Sequence, residues 1–170
     1  LVAQGLAIHQ QGKLSEAKVI YEQILKIQPH NFSALQLMGT IYAQTKNHLL
    51  AIEFLTKAIK INPSNFTYYQ NYGRALFDLK RYHESIIYCD KALSINQNSL
   101  ECLINKGEAL KELRLYKEAL ECEKSVLLIN PGYAEVWSNI GNIFKELKQY
   151  DHAIEHYDQA LNLNPDYAKG

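Results

Sequence analysis

The chain has 170 residues, and its 18 lysine and arginine side chains balance its 18 aspartate and glutamate side chains. This balance argues against a nucleic-acid partner, because nucleic-acid-binding proteins carry clustered positive charge. No apolar run approaches the roughly 20 residues that span a bilayer, and the three cysteines form no CxxC pair. We therefore predict a cytoplasmic protein with reduced thiols, no nucleic-acid partner and no membrane partner.

Basic residues dominate the first half of the chain and acidic residues the second. Residues 1–85 carry nine basic and five acidic side chains, whereas residues 86–170 carry nine and thirteen. We expect this asymmetry to orient a charged ligand along the chain.

The first 31 residues predict a truncated pair of helices. Leu1–Gln11 supplies most of a first helix, and Gly12-Lys13 interrupts it. The apolar positions that follow, including Ile20 and Ile24, are spaced as on one face of a second helix. Pro29 ends that helix, because proline is not tolerated in a helix interior.

A glycine recurs every 34 residues from this first pair onward. These glycines are Gly5, Gly39, Gly73, Gly107 and Gly141. Each falls inside a predicted first helix, where glycine costs about 0.5–1 kcal/mol relative to alanine. Because the chain accepts this cost in every repeat, we predict that the two helices of each pair approach closely at the glycine.

The same period divides the chain into five predicted helix pairs. They span about residues 1–31, 32–65, 66–99, 100–133 and 134–167. Asn31 or His30 is predicted to cap the second pair, and Asn65 or Ser64 the third, because short polar side chains are preferred at helix N-caps. The residues after Pro165, Asp166-Tyr167-Ala168-Lys169, match Gly132-Tyr133-Ala134-Glu135 at the start of the fifth repeat. A sixth repeat is therefore predicted to be starting there, and we expect that the chain was cut from a longer array.

The fourth repeat departs most from the others. Lys106 replaces an apolar residue, Glu123 an aromatic residue and Val126 a small alanine. Lysine can place its stem on apolar surface and its ammonium in water, but a buried carboxylate is costly. We therefore expect Glu123 to lie at the edge of the core.

The fifth repeat carries a recognisable pattern: Trp137-x-x-Ile140-Gly141-x-x-Phe144, Ala153-x-x-x-Tyr157, Ala160 and Pro165. It resembles the tetratricopeptide repeat (TPR) family, and the resemblance extends over essentially the whole chain. The resemblance implies an all-α solenoid of antiparallel helix pairs wound into a right-handed superhelix. It also implies a protein-interaction scaffold whose first helices line a concave groove.

Three asparagines are the main candidate binding residues. Asn71, Asn105 and Asn139 each precede the repeat glycine by two residues, a position that faces the groove in the TPR family. An asparagine amide offers a donor and an acceptor, so it can bind both polar groups of a peptide backbone. The other predicted groove residues are Gln70, Arg74, Phe77, Glu108, Lys111, Asn142 and Lys145.

Signs of catalysis are weak throughout the chain. His152-Ala153-Ile154-Glu155-His156 matches an H-x-x-E-H zinc-peptidase pattern, but the neighbouring signature residues predict that this pair faces outward. The chain has no G-x-S-x-G nucleophile motif, and its repeat glycines lie inside helices rather than in a phosphate-binding loop. We therefore predict no enzyme activity, no metal site and no cofactor.

Four more specific functional hypotheses accompany the TPR resemblance. Some TPR domains bind chaperone C-termini through a clamp of lysine, asparagine and arginine, but Glu135 stands where a cation is needed. The three asparagines also match positions in the arrays of O-linked N-acetylglucosamine transferases, so a substrate-recruiting arm of such an enzyme is an alternative. A structural spacer is another. We also expect self-association through uncapped ends.

Overall fold

The structure, a computed structural model, describes residues 1–165, and these residues form ten α-helices and no strand. The helices are α1 (Val2–Gln10), α2 (Leu14–Ile27), α3 (Phe32–Gln44), α4 (His48–Ile61), α5 (Phe66–Asp78), α6 (Tyr82–Ile95), α7 (Leu100–Glu112), α8 (Tyr116–Ile129), α9 (Ala134–Glu146) and α10 (Tyr150–Leu163). The predicted all-α chain of helix pairs is confirmed. The predicted start of a sixth repeat lies outside the described residues.

A three-residue turn joins the two helices of each pair. One turn residue in each adopts the left-handed conformation, with φ of 77° at Gly12, about 60° at Lys46 and Lys80, and 59° at Arg114 and Lys148. Such a residue lets the chain reverse directly after a helix while the next N–H groups bond the last helical carbonyls. Because each reversal is so short, the two helices of a pair pack antiparallel.

Side-chain caps begin three of the first helices. Asn31 accepts a hydrogen bond from the backbone of α3, Asn65 from that of α5 and Ser99 from that of α7. These bonds satisfy backbone donors that have no partner within the helix. Of the alternatives that the sequence left open, the caps are therefore Asn31 and not His30, and Asn65 and not Ser64.

The repeat glycines lie where the paired helices touch. A Cβ atom built on Gly39 would stand 2.7 Å from Leu55 Cγ, and one on Gly141 would stand 2.6 Å from Tyr157 Cε1. Real Cβ atoms essentially never approach other atoms this closely. The predicted close approach is confirmed.

The helices group into two compact units. The first, Leu1–Gln97, contains α1–α6, and the second begins at Asn98 and contains α7–α10. Within the first unit, α3 contacts both α1 and α5, so the first helices of its three pairs form a continuous face. Among residues 1–165, no helix is long and apolar enough to span a membrane.

Candidate functional site

Asn71 lies on the first-helix face of the first unit. It is half-buried on α5, and its Nδ2 donates a hydrogen bond of 3.1 Å to Thr40 Oγ1 on α3. The bond links neighbouring first helices and occupies one of the donors of the asparagine amide. Besides this N–H, the Asn71 amide has a second N–H donor and a carbonyl oxygen that can accept.

Two further predicted residues, Arg74 and Phe77, lie together on the same helix. Arg74 Nε is 3.2 Å from Asp78 Oδ1, and the guanidinium lies 5.1 Å from the centroid of the Phe77 ring. His48 Nδ1 on α4 is 3.5 Å from the other Asp78 oxygen. The ion pair and the ring contact therefore orient the exposed Arg74 side chain along α5.

The second unit gathers three of the predicted residues around one polar cavity. This cavity, of about 370 Å³, lies between α7 and α9. Its lining consists of Lys111, Glu112, Arg114, Tyr116, Asn142, Lys145 and Glu146. The three basic side chains outnumber the two acidic ones, so the cavity favours an anionic group. Tyr157 donates a hydrogen bond of 2.8 Å to Asn142 Oδ1 and so orients the amide.

Asn105 and Asn139 differ in their exposure. Asn105 on α7 exposes only 2% of its surface, whereas Asn139 on α9 is half-buried. The prediction that Asn105 presents its amide to a groove ligand therefore does not fit this structure, because packing withdraws the side chain from solvent. Asn139 keeps partial access to solvent.

The expectation that Glu123 lies at the edge of the core is wrong. Its side chain is 2% exposed, and its Oε1 would stand 3.4 Å from a Cβ atom at Gly107. Its position on α8 is the one that meets the repeat glycine, so helix packing buries whatever side chain stands there. The Oε2 atom of Glu123 has no hydrogen-bond partner within residues 1–165.

The surroundings of Glu123 favour its protonated form. Burial, the largest effect, raises the pKa of this carboxyl to about 7. The negative charges of Glu108 and Glu135 raise the pKa further, while the Lys111 ammonium and a hydrogen bond from Asn139 lower it. Glu123 thus places a titratable carboxyl beneath predicted groove residues, which is a feature that the sequence analysis missed.

Of the two histidines in the H-x-x-E-H pattern, His152 is exposed, as expected, whereas His156 is half-buried. The His152 and His156 rings lie 5.3 and 5.0 Å from the Phe144 ring, and His156 is 5.7 Å from Trp137. His156 Nδ1 is 2.8 Å from the carbonyl oxygen of His152, so this nitrogen donates to the backbone. The described part of the chain contains no cluster of three or more metal-binding side chains.

The cysteines are buried thiols, as expected for structural residues. Cys89, Cys102 and Cys122 all lie within the helix layers. Burial is the main cause that raises the pKa of Cys102. A raised pKa disfavours the thiolate and therefore nucleophilic chemistry at this sulfur.

Two protein families match parts of the chain. Residues 134–167 match the family described as Tetratricopeptide repeat, and residues 10–92 match Anaphase-promoting complex, cyclosome, subunit 3. A comparison with curated proteins finds no match.

Several solved structures share the fold over almost the entire chain. The structure described as "Crystal structure of MamA" has a TM-score of 0.89 and 22% identity, covering 98% of this chain and 97% of that one. YrrB, described as "a TPR protein with an unusual peptide-binding site", has a TM-score of 0.86 and 22% identity, covering 98% and 86%. PilF of Pseudomonas aeruginosa has a TM-score of 0.82 and 22% identity, covering 96% and 74%. The chain therefore has a TPR-like all-α solenoid fold.

Proposed function

We propose that this chain is a protein-interaction module that holds an extended peptide or partner segment on the first helices of its pairs. Each unit offers its own face. The face of the first unit includes Asn71, Gln70, Arg74 and Phe77 on α5, and that of the second includes residues of α7 and α9. The chain acts in this proposal by binding and not by catalysis.

The observation that carries the proposal is the polar cavity between α7 and α9. Lys111, Asn142 and Lys145 were each predicted from the sequence, and all three line this cavity. An asparagine amide pairs with a peptide N–H and C=O, and lysine ammonium groups pair with an acidic side chain. We therefore expect the second unit to bind an extended peptide that carries an aspartate or glutamate.

The charge around the cavity adds selectivity. Glu108 on α7 and Glu135 on α9 both act electrostatically on the buried Glu123, so these two carboxylates lie near each other on the first helices of this unit. A basic side chain of the peptide would be favoured near these carboxylates, and an acidic one near Lys111 and Lys145. This alternation favours a peptide of mixed charge and sets its direction.

The fold comparison is consistent with this function. The words that describe YrrB attribute a peptide-binding site to that protein. The resemblance to glycosyltransferase arrays rests on three asparagines, one of which, Asn105, is buried. No contact among residues 1–165 favours the enzyme arm or the spacer over a peptide-binding face.

Selection from a phage-displayed library of random peptides, followed by titration of the selected peptide, tests the proposal. The combined variant Asn142→Ala and Lys145→Ala should weaken binding by on the order of ten-fold, because each net hydrogen bond contributes about 0.5–1.5 kcal/mol. The matched control is Asn162→Ala with Lys124→Ala, two exposed residues of α10 and α8. Equal affinity in the parent and both variants, with folding intact, would contradict the proposal.

A further inference from the structure

An apolar cleft lies between the second helices of the first two pairs, and its lining contains none of the residues named above for the peptide-binding face. Its volume is about 760 Å³, and α3 forms its floor between α2 and α4. The residues that line it are Glu22, Leu25, Lys26, Pro29, His30, Leu35, Met38, Tyr42, Phe54, Lys57, Lys60 and Ile61. All of them belong to the first unit.

The side chains on the floor of this cleft are shorter than those at the equivalent positions of the following repeat. This difference in size leaves the cleft open. Leu35 and Met38 stand 34 residues before Tyr69 and Tyr72. Between α4 and α6 these tyrosines fill the space, where Tyr72 stacks on Tyr88 with ring centroids 4.1 Å apart and Tyr69 lies 6.3 Å from the same ring. Helix packing in this unit therefore does not require an empty cleft.

Aromatic and aliphatic groups form the inner surface of the cleft. The Tyr42 and Phe54 rings are stacked with centroids 5.4 Å apart, and Leu25 is half-buried beside them. Covering this surface with apolar side chains is favourable, because it removes apolar area from water. The cleft is thus suited to the apolar side chains of a ligand.

Lysines on both walls give the cleft a positive rim. Lys26 is in the last turn of α2, and Lys60 is in the last turn of α4. Both are exposed, and no ion pair within residues 1–165 engages either one. Of the other charged residues in the lining, Lys57 is paired with Glu53 at 2.6 Å, and Glu22 lies 3.8 Å from Lys18 outside the cleft lining.

The fold does not require these two lysines. The equivalent positions of the later second helices hold Ser94, Leu128 and Asn162. A cation in the last turn of a helix is favourable but modest in its effect. Helix stability therefore does not account for the occurrence of Lys26 and Lys60 on the two walls of one open apolar cleft.

We propose that the α2–α4 cleft is a second binding site, which takes an acidic amphipathic segment of a partner protein. Its apolar side chains cover Tyr42, Phe54 and Leu25, and its carboxylates pair with Lys26 and Lys60. A segment with several carboxylates satisfies lysines on both walls, whereas a single acyl carboxylate reaches only one wall. This site does not depend on the peptide-binding face proposed above.

The test uses a fluorescein-labelled peptide of about 14 residues, roughly four helical turns, with leucines on one face and glutamates beside them. We expect it to bind the full chain with an affinity that decreases as salt is added. A peptide with lysine in place of glutamate, and one with serine in place of leucine, should not bind.

Two variants locate the peptide on the protein. Lys26→Glu combined with Lys60→Glu should weaken binding by about ten-fold or more, because attraction becomes repulsion at two positions. The control, Lys117→Glu combined with Lys124→Glu, makes the same charge change at exposed residues of α8 and should have less than about a two-fold effect. Leu35→Tyr should fill the cleft and abolish binding while thermal unfolding shows an intact fold.

Three results would overturn the proposal. The first is equal peptide affinity in the parent and in the Lys26/Lys60 variant, which decides the matter even if Leu35→Tyr fails to fold. The second is binding of sodium dodecanoate in the cleft without binding of the peptide. The third is self-association of the chain that the Lys26/Lys60 variant removes, since the occupant would then be a second copy. None of these variants touches α7 or α9, so each proposal can fail independently of the other.

Discussion

At the scale of single residues, Glu123 stands where the other repeats place an uncharged side chain against the glycine. Those equivalent residues are Tyr21, Leu55, Cys89 and Tyr157. A carboxyl in this position must either lose its charge or hold it in a nearly anhydrous site. Burial raises the pKa of the Glu123 carboxyl to about 7 and so favours its protonated, uncharged form.

This raised pKa predicts that the chain loses stability as the pH rises toward neutrality. Between the ordinary pKa of 4.5 and the folded value of about 7, the folded chain keeps a proton that the unfolded chain has released. The free energy of unfolding therefore falls across this range and levels off above it. The contribution of this carboxyl is on the order of 3 kcal/mol. Thermal unfolding measured from about pH 4.5 to pH 8.5 checks the trend.

Glu123→Gln separates this effect from other titrations. The amide cannot ionise, so the variant should unfold at a higher temperature than the parent near pH 8, with a smaller difference near pH 5. Glu118→Gln, an exposed change on the same helix, should retain the pH dependence of the parent. Parallel pH curves for the parent and Glu123→Gln would show that the buried carboxyl does not govern stability.

At the scale of helices, close packing within each pair depends on the repeat glycines. A Cβ atom at Gly73 would lie 3.0 Å from Cys89 Sγ and 3.4 Å from the carbonyl oxygen of Ser85. The Ser85 hydroxyl on α6 also donates a hydrogen bond of 2.8 Å to the Gly73 carbonyl oxygen on α5. The backbones of α5 and α6 are thereby held together at this point.

Gly73→Leu should therefore destabilise the chain more than a change at an open position. Forcing extra carbons into a packed interface typically costs about 1–3 kcal/mol or more. Urea unfolding gives the free energy of unfolding, and Gly132→Leu is the control, because a Cβ atom there meets only Asn130 Oδ1 at 3.6 Å. Similar losses in both variants would mean that helix contact at Gly73 does not limit side-chain size.

At the scale of the whole molecule, apolar side chains remain exposed on the first and last helix pairs. Leu1 and Val2 line an apolar cavity of about 260 Å³ with Ile24 and Ile27. On α10, Ile154 is 57% exposed. Large exposed apolar patches are uncommon on monomeric proteins, so contacts between copies would bury this surface.

We therefore predict that the chain self-associates as its concentration rises. Light scattering should show a mass above that of the monomer at high concentration, and Ile154→Glu combined with Leu163→Glu should lower it. Ile87→Glu, which changes an exposed residue of α6, serves as the control. A monomeric mass at every concentration would rule out the prediction.

The sequence by itself determined the helices, their order and their caps. Helices and caps depend on residues a few positions apart in the sequence, and the order of the helix pairs follows from the 34-residue period. Both patterns are visible in the sequence alone. The glycine contacts followed as well, because a residue that is unfavourable in a helix recurred at one position. The two N-caps were predicted to within one residue, as Asn31 or His30 and as Asn65 or Ser64, because N-caps favour short polar side chains.

Only the tertiary structure decided which side chains are buried and which spaces stay open. Glu123 is buried because of where α8 meets Gly107, and Asn105 is withdrawn from solvent although its sequence position matches that of Asn71 and Asn139. The α2–α4 cleft depends on side-chain sizes from three helices at once. Burial and cavities arise from the combined volumes of residues far apart in sequence, so no local pattern encodes them.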